Sequence, residues 1–204
     1  AENGRLGVWE ITEDPADLAR SFRGSTNDLA EAEGITHPQK RLEFLASRVL
    51  MQKIAAAEGL RYEGVLKDDF GKPSLVNHPG WHLSLTHSQR HAAAVLHPNQ
   101  PVGIDLEAPA EALRRVAPRI LSPTELAHAD GNLHRLAVYW TAKEALYKLY
   151  GKRGLFFSSQ LFIEPFGDEA PDVVGWILME DSPTRCLIHI RNMAADVLAI
   201  ASSF

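Results

Sequence analysis

Apolar positions recur along this chain in two rhythms, one of period two and one of period three to four. In GVWEIT (7–12), Val8, Glu10 and Thr12 alternate with Trp9 and Ile11, which predicts a strand. In 37–59, Leu42, Leu45, Val49, Leu50 and Ile54 return at three- and four-residue steps, which predicts a helix stopping at Gly59. FGKPSL (70–75) reads as a turn, because Gly and Pro punctuate it. Strands are predicted at 81–88, 91–98 and 101–107, the last two parted by the turn-like PNQP. Helical segments then fall at 111–118, 122–129 and 134–151. Ser122, Pro123 and Glu125 have the spacing of a capping box with proline at the first helical position. Strands follow at 160–164, 173–180, 185–191 and 196–203. Each half thus reads as helix and then a run of strands. This predicts an α+β fold of two pseudo-symmetric subdomains, 1–108 and 109–204. No residue-level repeat is visible, so the duplication rests on element order alone.

Composition narrows the class. The 204 residues are 45% hydrophobic and 23% charged, as expected of a globular protein with a proper core. No apolar run reaches the roughly 18 residues of a membrane span, and the first residues show no signal-peptide core. The single cysteine, Cys186, cannot form an internal disulfide. The expectation is a cytoplasmic protein without a membrane or nucleic-acid partner, the latter because the net charge is −5. The nine histidines are scattered, with no HExxH or CxxC spacing to suggest zinc.

Three stretches could carry chemistry. In VGIDLE, Asp105 and Glu107 lie two apart and so share one strand face. Two close carboxylates repel unless a cation sits between them, and hard oxygen ligands suit Mg²⁺ or Mn²⁺. The alternative is a solvated strand end. In WTAKEALYKLYG (140–151), Trp140, Glu144 and Lys148 share a helix face. They could form a surface ion pair, or they could be the wall of a site. If Glu144 faced Asp105 and Glu107, three carboxylates could hold one divalent cation, with Lys143 and Lys148 beside it as phosphate partners. In LSLTHS and FGKP, Thr86, His87, Ser88 and Lys72 offer donors for a phosphate. Arg41 and Arg48 lie two helical turns apart.

In combination, GIDLE followed by WTAKEALYK, with GKP and THS upstream, resembles the 4′-phosphopantetheinyl transferases, most closely the surfactin-synthetase-activating type with two halves in one chain. The motifs run from Arg41 to Gly151. Leu106 stands where the family commonly has Ile, and Thr86 where Ser is commoner. The resemblance implies transfer of the phosphopantetheine arm of coenzyme A to a serine of an apo acyl or peptidyl carrier protein, releasing 3′,5′-ADP. It implies Mg²⁺ or Mn²⁺ held by Asp105, Glu107 and Glu144. Glu144, Lys148 and Asp105 would be catalytic, and Lys143 and Lys148 would contact phosphate. Arg48, Thr86 and His87 would hold the 3′-phosphate region with Arg41 nearby, and Lys72 and Pro73 would line the adenine pocket. The active site would lie at the interface of the halves, and two halves in one chain imply a monomer. A non-catalytic carrier-protein or nucleotide-binding module and a metal-dependent phosphohydrolase are the alternative readings.

Overall fold

The structure is a computed structural model that describes residues 4–179 and 182–204. Glu180, which the pattern places in the strand 173–180, lies outside the described residues. The chain forms two compact units, Ala1–Gln100 and Pro101–Phe204.

In the first unit, β1 (Arg5–Glu10) pairs antiparallel with β5 (His91–His97), which pairs in turn with β4 (His82–His87). Between β1 and β4 run α1 (Pro15–Ser21), α2 (Thr26–Gly34), α3 (Pro38–Ala57) and a two-stranded ribbon of β2 (Val65–Lys67) and β3 (Pro73–Leu75). The helices α1 and α2 are too short to announce themselves by an apolar stripe. Asp14 and Ser25 start them as N-caps, accepting the backbone N–H groups of Ala16 and Asp28. The turn at 68–72 is built by Asp68, whose carboxylate accepts from the backbone of Phe70 and Lys72, with Gly71 at φ 90°. The stretch predicted as pure turn therefore ends in β3. Leu45, Ala46, Met51, Ile54 and Ala55 of α3 are buried in a core shared with Ala92, Ala94 and Leu96 of β5.

The second unit opens with β6 (Val102–Glu107) and continues through α4 (Ala112–Ile120), α5 (Pro123–Ala129), α6 (Leu133–Tyr150) and the short α7 (Phe157–Gln160). Then come β7 (Leu161–Ile163), β8 (Asp172–Ile177), β9 (Thr184–Asn192) and β10 (Val197–Ser203). The sheet is antiparallel throughout, in the order β6-β10-β9-β8-β7. In each unit the first strand pairs with the last, and one long helix packs over that pair. The α+β class holds. The boundary between the units, however, falls before β6, not after it as the seam at 108 supposed. The hydrogen bonds of β6 go to β10, and that pairing is invisible to a reading of local pattern.

The helix α6 is begun by Asn132, whose side chain accepts from His134 and Arg135, and it ends at Gly151 in the left-handed conformation (φ 71°). Its buried residues include Ala137, Ala142 and Ala145, all fully enclosed. On the strand below, Gly103, Asp105 and Glu107 alternate with Val102, Ile104 and Leu106. A Cβ placed on Gly103 would stand 2.0 Å from the backbone oxygen of Ala145 and 2.6 Å from the nitrogen of Leu149. Strand and helix backbones therefore touch here, and only glycine permits it.

Gly103→Ala is accordingly expected to cost at least about 3 kcal/mol of stability, at or beyond the upper end of ordinary overpacking, because the obstacle is backbone. Thermal or denaturant unfolding of the variant checks this; an unchanged midpoint would show that β6 and α6 are free to separate.

Candidate active site

The closeness of β6 and α6 decides what stands beside Asp105. Its carboxylate is mostly buried and accepts from Lys148 Nζ at 2.7 Å, while the same ammonium donates to the backbone oxygen of Ile104 at 3.0 Å. Glu107, at the end of the strand, accepts from the backbone N–H of Ala108 at 3.2 Å. The tryptophan on this charged helix face is partly buried, its ring packed against the core of the unit. Glu144, between Trp140 and Lys148 on the same face, completes the group.

The three carboxylates act on one another. Glu144 is pushed up to about 7, first by burial and next by Asp105, with Lys148 opposing and Glu107 adding to the rise. Glu107 is also raised, chiefly by burial, with Asp105 and Asp196 contributing and the Ala108 hydrogen bond and the Trp140 side chain opposing. A cluster with more acid than nearby base favours the protonated forms. Asp196 is a buried carboxylate that the motif reading missed. It immediately precedes Val197, which pairs with Glu107, so only the pairing of β10 with β6 brings it into range.

The donor set suits a hard divalent cation in kind and in charge. It is not drawn together around one point: among the described residues no group of three or more His, Cys, Asp or Glu is placed to hold a metal ion. Lys148 fills part of that role by neutralising Asp105.

Lys143 does something different from what its motif suggested. It is fully buried, and its ammonium donates to Glu125 at 2.7 Å and to the backbone oxygens of Ile120 and Phe157 at 2.9 and 2.8 Å. All three of its protons are spent inside the unit, so it is no phosphate ligand. Glu125 itself closes the predicted capping box with Ser122 and accepts from the backbone of Ile163 at 2.8 Å. This one ion pair ties α5, α6, the start of α7 and β7 together. Removing either partner from such a buried pair typically costs about 3–5 kcal/mol.

In the first unit, Arg48 is likewise a correction. Its side chain is buried, donates to Asp28 at 3.0 Å and Glu31 at 3.5 Å, and lies over the Phe44 ring. Asp28 also accepts from Tyr62 and Ser25. Arg48 is thus a structural anchor for α2, not a group presented to a 3′-phosphate. Arg41 lines a cavity with Pro15, Ala19, Ile35 and Leu45. Thr86 is buried in β4, whereas its neighbour His87 is exposed, and successive strand residues point to opposite faces. The Nδ1 of His87 lies 3.0 Å from Glu43. Lys72 is half-buried, and burial lowers its ammonium against the pull of Asp68; Pro73 follows it as the first residue of β3.

The lysine and the coupled carboxylates thus meet on one strand–helix contact. The sequence model of the 4′-phosphopantetheinyl transferase superfamily matches residues 101–182, the segment that carries β6 and α6. A 4′-phosphopantetheinyl transferase of Bacillus subtilis is 29% identical over 124 residues, 57% of this chain. The match spans about half of that relative's length, 55%. A solved holo-(acyl-carrier-protein) synthase from Bacillus anthracis str. Ames, in complex with CoA (3′,5′-ADP), overlaps 46% of this chain and 92% of its own at 22% identity, with a TM-score of 0.36. The similarity to the 4′-phosphopantetheinyl transferase superfamily that the motifs announced is therefore found by comparison as well.

The raised Glu144 has a consequence for stability. Its protonated form is the one the fold prefers, so its contribution is fully present below the unfolded value of 4.5 and is lost as pH rises through about 7. Glu144→Gln cannot ionise. It should unfold at a higher temperature than the parent at about pH 9, by up to ~3 kcal/mol, and the gap should close at about pH 4. Thermal unfolding across that range checks this; a gap that does not change with pH would mean that Glu144 titrates as in an open chain.

Proposed function

We propose that the chain transfers the 4′-phosphopantetheine arm of coenzyme A to a serine hydroxyl of an apo carrier protein and releases 3′,5′-ADP. The observation that carries this reading is the meeting of Asp105, Glu107, Glu144 and Lys148 at the β6–α6 contact, inside the segment that the superfamily model matches. In the proposed reaction the serine Oγ–phosphorus bond forms and the bond from that phosphorus to the bridging pyrophosphate oxygen breaks. The serine proton leaves to a base, and the displaced phosphate carries the charge away. Glu144, held near 7, is suited to take that proton when ionised. Lys148, already seated against one anion, would meet the phosphate oxygens. Asp105, Glu107 and Glu144 would hold Mg²⁺ or Mn²⁺, which when bound supplies charge neutralisation at the pyrophosphate. The mutual repulsion of the three carboxylates supports a demand for positive charge at this place. Arg41, Lys72, Pro73, Thr86 and His87 of the first unit would be the groups for the nucleotide end of coenzyme A.

The test is to incubate the protein with coenzyme A, Mg²⁺ and a panel of apo acyl and peptidyl carriers, and to weigh the carriers. A gain of one phosphopantetheine arm with appearance of 3′,5′-ADP is expected. Asp105→Ala should retain the fold and lose at least about a hundredfold in turnover, the scale of a removed electrostatic stabiliser. No gain on any carrier, or cleavage of coenzyme A without a carrier, sinks the transferase reading. Near-parental turnover in Asp105→Ala removes the carboxylate site.

A further inference from the structure

Glu43 lies on α3, three residues after Lys40, and its side chain is completely buried. One carboxylate oxygen, Oε2, accepts from Lys40 Nζ at 2.8 Å and stands 3.0 Å from His87 Nδ1. The other, Oε1, is buried with no hydrogen-bond partner, alone in this respect among the described residues. A pair with Lys40 does not account for this arrangement. Residues three apart on a helix pair at the surface without burying either member, and the Lys40 side chain is 61% exposed. Nor does packing account for it, since methionine or leucine would fill the place with no orphaned oxygen. What only a hydrogen-bond acceptor with charge supplies is a fixed partner for His87, whose side chain is 36% exposed at the end of β4.

We infer that Glu43 is a positioning residue: its carboxylate holds the Nδ1 edge of His87, which turns the Nε2 edge away from α3 and toward a phosphate group of coenzyme A. The inference rests on the transferase reading for the identity of the phosphate. Histidine nitrogens are distinguished by the bond the other one makes, so an acceptor at Nδ1 fixes a proton there and sets the ring's direction; Nε2 donates to the phosphate when the ring takes up its second proton, and the Glu43 carboxylate offsets the charge of that imidazolium.

Two measurements test it without relying on turnover. Nitrogen-15 NMR of the free protein reads the tautomer of His87 at a pH where the ring is neutral. The parent should carry its proton on Nδ1, and Glu43→Met should shift it to Nε2. Calorimetry reads coenzyme A affinity. Glu43→Met and His87→Ala should each weaken it about tenfold, and the double variant should be no weaker than His87→Ala, because one residue acts through the other. Glu43→Gln keeps the volume and an acceptor, so it should retain the Nδ1 proton and most of the affinity. If Glu43→Met does not fold, the smaller loss in Glu43→Gln should likewise vanish in the His87→Ala background. An unchanged tautomer in Glu43→Met, or losses that multiply in the double variant, overturns the inference. Carrier modification is read separately: a parent that binds coenzyme A but modifies no carrier defeats the transferase reading and leaves the role of Glu43 standing.

Discussion

The contact between the backbones of β6 and α6 at Gly103 is the constraint on which the candidate site depends. Because no side chain intervenes, the strand lies against the helix at Ala145 and Leu149. The next strand residues on that face are Asp105 and Glu107, and the helix residues that flank Ala145 and Leu149 are Glu144 and Lys148. A single small residue thus sets the distance at which Lys148 meets Asp105 and Glu144 feels both strand carboxylates. The fully buried Ala199 and Ala201 on β10, next to Asp105 and Gly103, show the same economy of side-chain volume beneath the helix. Ridges of ordinary size there would push the helix outward and dissolve the electrostatic coupling, which weakens with distance and with the entry of water.

Buried charge is used in two ways in this chain. Lys143–Glu125 and Arg48–Asp28 are closed systems, in which donors and acceptors are matched and little of either pair is exposed. They fix elements: α5, α6 and β7 in one case, α2 and α3 in the other. Asp105, Glu107 and Glu144 are an open system, with three acids, a fourth at Asp196, and one lysine among them. Matching lowers the cost of burial, whereas a surplus of one sign keeps the acids poised to accept a proton or a cation. That contrast separates the structural ions from the candidate functional ones better than their motif positions do.

Local periodicity made much of this legible. The apolar steps of α3 and the alternation in β1 are properties of neighbouring residues, and so is the shared face of Asp105 and Glu107. The i, i+4 spacing placed Trp140, Glu144 and Lys148 together, and the structure keeps them together. What failed were statements about partners distant in sequence. Lys143 stands next to Glu144, but a helix turns about 100° per residue, and its neighbour across that turn is Glu125, not the site. Arg48 is expected at the 3′-phosphate by resemblance until α2, a helix too short to be announced by its pattern, supplies Asp28. Asp196 and the placement of β6 in the second unit depend on pairing the first and last strands of that unit, and no local signal encodes it.

The central claim is that the β6–α6 contact makes these carboxylates one electrostatic unit. The most direct measurement is the titration of Glu144 itself, followed by carbon-13 NMR of labelled glutamate carboxyl groups in the free protein and in Asp105→Asn. The account predicts a midpoint of about 7 in the parent, and a clear fall in Asp105→Asn, where one repelling charge is gone and Lys148 has lost its first partner. A Glu144 that titrates in the ordinary carboxylate range, or whose midpoint ignores the substitution at Asp105, would contradict it.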